Sequence, residues 1–270
     1  MRIDILTIFP EILAGPLQAS LLGKAVADGR LEVAVTNIRD FAVDRHSSVD
    51  DSPYGGGAGM VMKCQPIFAA VESLKTRNSL DRIILLSPRG QRLTQARVRE
   101  LAQAPDLVLL CARYEGVDER VSEALVTEEI SIGDYVLSGG EVPALVLVEA
   151  ISRMLPGVIG DWESVETDSF FQGILGPPQY TRPPEFRDMA VPAVLRDGNH
   201  AAIRRWRRRE ALRATRDRRP DLLIGLSDED KKLLAEIERD APMPERENYD
   251  EPVGSNRSEA DESPGEYPQV

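Results

Sequence analysis

Residues 82–87 (RIILLS) and 106–111 (DLVLLC) carry unbroken apolar stretches, so a strand built from either has no face to offer water. Such strands belong inside a sheet covered on both sides, as parallel sheets flanked by helices are. The surrounding sequence fits that demand. Residues 2–8 (RIDILTI) and 31–38 (LEVAVTNI) read as further strands, and residues 20–28, 65–77, 94–103 and 142–155 have helical patterns. Gly29 ends the first of these helices, and Pro156-Gly157 stops the last. Strands alternating with helices predict an α/β domain with a largely parallel sheet.

The pattern changes at Pro156. Residues 157–185 are rich in Gly, Pro and polar groups with little periodicity, which reads as a linker or a long functional loop. Two helical candidates follow, at 199–216 and 228–239, and SDED (227–230) resembles a capping box that opens the second. The expected division is an α/β domain over 1–160, an interdomain loop over 161–176, a small helical C-terminal domain over 177–239 and a disordered acidic tail over 240–270.

A formal net charge of −12 speaks against nucleic acid until its distribution is considered. Residues 240–270 hold 9 acids and 2 arginines, whereas residues 196–219 hold 10 arginines and 3 acids. A local basic stripe governs phosphate binding more than the total does, although a solvated arginine-rich helix face has the same composition. The chain has no apolar run of about 18 residues, so no membrane span is expected. Its first residues lack the basic and apolar regions of a secretory leader, and a cytoplasmic protein is expected. Cys64 and Cys111 form no CxxC or Cys/His cluster, so no metal site is suggested and both read as small buried hydrophobes. His46 and His200 are the only histidines, and no hydrolase triad is readable.

Four glycine-bearing loops follow strand-like runs: 54–60 (YGGGAGM), 87–90 (SPRG), 112–116 (ARYEG) and 132–141 (IGDYVLSGGE). Ligands of α/β sheets bind at the carboxyl ends of strands, and glycines let a backbone approach a flat ligand closely. One such loop is an ordinary turn; four in one domain predict a binding site. None is a P-loop or a GxGxxG motif, and Phe9-Pro10-Glu11 after the first strand argues against a dinucleotide-dependent oxidoreductase. Arg153 at a helix end reads alone as a solvated cation, and Asp168 reads alone as a helix cap. Together they could supply a base and a cation for an anionic transition state.

Longer segments sharpen these readings. RDFAVDRHSSVDDSPYGGGAGMVMKCQPI (39–67), ILLSPRGQRLTQ (84–95), LCARYEGVDERV (110–121), ISIGDYVLSGGEVPALVLVEAISRMLPGV (130–158), DSF (168–170) and YTRPPEF (180–186) resemble the bacterial tRNA (guanine-37 N1) methyltransferases. The resemblance runs in order through residues 1–239, and IGDYVLSGGE and RYEGVDER are its most specific parts.

The resemblance implies a SPOUT-superfamily fold with a deep trefoil knot, an obligate homodimer, and S-adenosylmethionine as methyl donor. The positions implied to hold the donor are Leu86, Pro88, Ala112, Tyr114, Glu115, Gly116, Ile132, Gly133, Asp134, Tyr135, Val136, Leu137, Gly139 and Gly140. It further implies Asp168 as general base on guanine N1, supplied by the opposite subunit, and Arg153 as the cation at O6. The basic C-terminal helices would hold a tRNA anticodon stem-loop by its phosphates. The sequence departs from the family at Gly176 and Gln179, where an acid and a histidine are frequent. No sequence feature speaks for or against a divalent ion. The alternative reading is a non-catalytic RNA-binding protein that uses the arginine-rich helix.

Overall fold

A computed structural model describes residues 1–240, so the expected acidic tail, apart from its first residue Asp240, lies outside the described residues. The described residues divide into two compact units, one ending at Gln179 and the other beginning at Tyr180. In the first, β1 (Arg2–Thr7), β2 (Glu32–Asn37), β3 (Ile83–Arg92), β4 (Asp106–Cys111) and β5 (Glu128–Ser131) form one sheet in the order β2-β1-β4-β3-β5. Every pairing in it is parallel.

The two apolar runs lie in the sheet's interior, as their sequence demands. Ile84, Leu86, Leu107, Leu109 and Cys111 point to one face, where they meet α1 (Ser20–Ala27), α3 (Gln95–Leu101) and α5 (Glu141–Ser152). Ile83, Leu85, Val108 and Leu110 point to the other, against α2 (Cys64–Ser73) and α4 (Glu119–Leu125). Burial on both faces gives these strands their stability and leaves only their ends free for chemistry. Cys111 is fully buried, and burial pushes its thiol well above the usual range, consistent with a packing role. The one charged side chain deep in β1, Asp4, is met by Arg2 at 2.8 Å, Arg77 at 3.3 Å and Asn78 at 3.1 Å. Those partners offset the cost of desolvating a carboxylate.

β3 is longer than the apolar run that announces it. Leu86 pairs with Ile130, the register then shifts, and Gln91 pairs with the same Ile130. The SPRG segment is therefore an excursion within the strand. Pro88 has no N–H to give a ladder, and a side chain at Gly90 would collide with the Glu129–Ile130 backbone.

Residues 161–176 differ from an interdomain loop. They belong to the first unit and carry a short helix, α6 (Trp162–Glu166), capped by Asp161, which accepts from the Glu163 amide at 3.0 Å. Trp162 and Phe171 meet edge to face, which gives this polar stretch an apolar contact of its own. The second unit contains α7 (His200–Arg218) and α8 (Asp228–Asp240), with Leu212, Leu233 and Ile237 buried. Ser227 caps α8 through the Asp230 amide at 3.1 Å. Asp230's carboxylate does not complete the box; it pairs with Arg208 at 2.7 Å, which lowers its pKa. No helix of the described residues is long and apolar enough to cross a membrane.

Candidate functional site: a cleft at the carboxyl edge of the sheet

The loops after β4 and β5 and the excursion in β3 close around one cleft. Its lining includes Leu86, Pro88, Ala112, Tyr114, Glu115, Gly116, Ile132, Gly133, Tyr135, Val136, Leu137, Gly139 and Gly140. Asp134 is the one member of the implied set outside it. Its carboxylate is exposed and faces Arg92 at 3.9 Å, because the turn after β5 aims it to solvent.

Local chemistry holds each loop. Ser131 pins the turn after β5, its hydroxyl donating to Gly133 O at 3.0 Å and accepting from Gly133 N at 3.2 Å. Gly140 N donates to Ala112 O at 2.9 Å, joining the loop before α5 to the end of β4. Asp118 ends the RYEGVD loop as the cap of α4, accepting from the Arg120 amide at 3.0 Å. The Arg120 guanidinium beside it holds that carboxyl well below the usual range. Arg89 reaches Glu119 at 3.0 Å, which ties the β3 excursion to the same helix. The backbone amides of Tyr135, Val136 and Leu137 donate to no group among the described residues. Val136 is exposed beside them. Free amides next to exposed apolar side chains suit a flat, nitrogen-rich ring with an apolar face.

The YGGGAGM loop follows no strand of the five-stranded sheet and does not line the cleft. It joins two antiparallel two-residue strands, Asp50–Asp51 and Val61–Met62. It braces the cleft from behind: Glu115 N donates to Met60 O at 3.0 Å and Met62 N to Gly116 O at 2.9 Å.

Arg153 and Asp168 form an ion pair, and with Gln95, Met154, Val165 and Ser169 they line a second hollow. That hollow shares no lining residue with the cleft. Arg153 is the C-cap of α5, as a helix-end cation should be. Asp168 caps no helix; the cap of α6 is Asp161, and Asp168 lies just past the far end of that helix. Among the described residues, no three His, Cys, Asp or Glu side chains gather into a metal-binding group.

The arginine stripe on α7 is less free than its composition implies. Arg205 pairs with Glu236 at 2.7 Å, Arg208 with Asp230, and Arg209 with Asp240, all carboxylates of α8. Arg213 and Arg219 pair with Glu210 and Asp221. Arg204, Arg207 and Arg218 are exposed and have no carboxylate partner among the described residues.

A parallel α/β sheet whose edge loops close over a backbone-lined cleft defines a ligand-binding α/β protein with its site outside the strand ends. Within that class the chain belongs to the tRNA (Guanine-1)-methyltransferase TrmD family, whose model matches residues 1–224. It is 54% identical over 243 residues to a tRNA (guanine-N(1)-)-methyltransferase of Moorella thermoacetica, covering 88% of this chain and 97% of that one. The protein of the same name from Dictyoglomus turgidum is 54% identical, with coverage of 89% and 98%. That from Desulforamulus reducens is 51% identical, with coverage of 88% and 95%.

Proposed function

We propose that this protein methylates N1 of guanosine 37 in tRNA, with S-adenosylmethionine held in the cleft. The observation that carries this reading is the convergence of three loops on one cleft in a chain of this family. The amides of Tyr135, Val136 and Leu137 would receive the adenine edge, and Gly139 and Gly140 leave room for the ligand against the backbone. Bound there, S-adenosylmethionine supplies a methyl group on a positively charged sulfur. Guanine N1 carries a proton and is a poor nucleophile while it does. Asp168's carboxylate accepts that proton, and Arg153's guanidinium stabilises the charge that moves to O6. Their ion pair orients the two groups before substrate arrives.

The reading extends to a homodimer in a cytoplasmic setting. Asp168 lies in a hollow separate from its own chain's cleft, as expected if it serves a partner's. Val142 and Val146, one turn apart on α5, are exposed, which suits burial by a second copy. The excursion in β3 and the joining of the loop before α5 to the end of β4 support placing the family's trefoil knot in this region.

The test is incubation with S-adenosylmethionine and tRNA bearing guanosines at positions 36 and 37, followed by nucleoside analysis. The expected product is 1-methylguanosine at position 37; none with enzyme in excess overturns the assignment. The rival, an RNA-binding protein without activity, predicts tRNA binding and no product.

On this reading Arg204 and Arg207 make phosphate contacts from α7. The double variant R204A/R207A is expected to weaken tRNA binding and reduce the slope of log K against log salt by about 2. Removing the neutralised pair with R205A/E236A should leave that slope unchanged. Equal slopes for both variants in a salt titration would refute the division.

A further inference from the structure

Glu141 is a carboxylate with 1% exposure, and neither the donor site nor the proposed proton transfer uses it. One of its oxygens accepts from the Thr7 hydroxyl at 2.6 Å. The other accepts from Arg113 Nε at 2.9 Å and faces Arg113 Nη2 at 2.9 Å. Arg113 then donates from Nη1 to Ser138 O at 3.2 Å, and its guanidinium stacks over the Phe9 ring at 4.6 Å. Phe9 in turn donates its amide to the Thr7 hydroxyl at 2.9 Å.

Three segments far apart in the chain thus meet on one buried charge: the end of β1, the loop after β4, and the loop leading into α5. Arg113 also forms an isolated bridge with Gly139, so backbone and side chain join the same two loops. A planar guanidinium can hold a carboxylate, a carbonyl and an aromatic face at once, and an ammonium cannot. A buried pair with both carboxylate oxygens hydrogen-bonded fixes a geometry more than it adds stability.

We propose that Arg113 and Glu141 are a positioning pair that sets the separation of two of the cleft's glycine loops, the one after β4 and the one before α5, and so governs the affinity for the methyl donor. This rests on the reading of the cleft as the donor site. Neither residue exchanges a proton with substrate; both act through where they hold Ser138, Gly139 and Gly140.

The test is Arg113→Lys, which keeps the positive charge beside Glu141 and loses the fork. Donor binding is measured by calorimetry with S-adenosylmethionine alone, beside thermal melting, tRNA binding, and methyl transfer at saturating donor. The expected result is donor affinity lowered about tenfold, with tRNA affinity and turnover at saturation within about twofold of wild type. Glu141→Gln, which keeps the acceptor for Thr7 and loses the charge, should weaken the donor in the same sense. The double variant R113K/E141Q should fall well short of the product of the two losses, as coupled residues do. Donor affinity within twofold of wild type in folded Arg113→Lys overturns the proposal. So does a parallel loss of donor and tRNA binding, or failure of Arg113→Lys to fold, since either makes the pair a general structural support. If the wild-type protein binds no S-adenosylmethionine, it is the reading of the cleft that fails.

Discussion

Asp168→Ala is expected to lower methyl transfer by about 10²–10⁴-fold, the range of a lost general base, while donor affinity stays within about twofold. The two halves of that result come from different parts of the molecule. Asp168 lines the hollow with Arg153 and Gln95 and no part of its own chain's cleft, so its loss leaves the loops that wall the donor in place. The fold should tolerate the change. Asp168 is half-exposed and its partner Arg153 is 37% exposed, and ion pairs in such settings contribute about 0–1 kcal/mol. Asp168→Asn preserves shape and hydrogen bonding without a base, and it should be as inactive as the alanine variant. Single-turnover methylation with enzyme in excess, beside calorimetric donor binding, makes the comparison. Turnover within tenfold of wild type in both variants would remove Asp168 from the chemistry.

Legibility followed burial. β4 is read from the sequence to the residue, because every position from Leu107 to Cys111 is buried, Pro105 precedes the strand and a glycine-bearing loop follows it. β5 is implied only as the run ahead of the IGDYVLSGGE loop and is given no bounds. It begins with Glu128 and Glu129, and Glu128 is in place because Arg97 from α3 pairs with it. An edge strand supported by an ion pair has no apolar pattern to show. α4 escapes for a related reason: of its residues only Val121 is buried, too few to set a period. Three of the four glycine loops do come together, while YGGGAGM does not reach the cleft, because its flanking strands belong to a separate two-stranded sheet. Glycine content marks where backbone bends; it does not say against what. Glu141 shows the limit most clearly. In sequence it is the acid after SGG, in the place of a first-turn helix residue that favours the dipole. Its role depends on Thr7 and Arg113, which no local spacing relates to it.

Gly140→Ala tests the cleft from the opposite side and should cost about a hundredfold in donor affinity. A methyl group there would lie 2.7 Å from Cys111 Cα and 3.1 Å from Ala112 N. Both are backbone atoms at the end of a strand buried on two faces, so the strand cannot give way and the loop before α5 must retreat instead. The retreat strains the Gly140–Ala112 hydrogen bond and moves the wall that carries Leu137 and Gly139. Displacements on the scale of an ångström in a positioned site cost about 10²-fold. Overpacking of this kind costs about 1–3 kcal/mol, less than the stability of an ordinary domain, so the variant should remain folded at room temperature. Gly140→Ala and Asp168→Ala then become complementary lesions. If each site draws its cleft from one protomer and Asp168 from the other, a heterodimer of the two variants contains one site with neither defect. Unfolding the two variants together, refolding them and assaying with donor well below saturation of the Gly140→Ala site should recover about a quarter of wild-type activity, since statistical pairing makes half the dimers mixed and each mixed dimer has one intact site of two. Refolded mixtures as inactive as their parents would place cleft and base in the same chain and contradict the shared site.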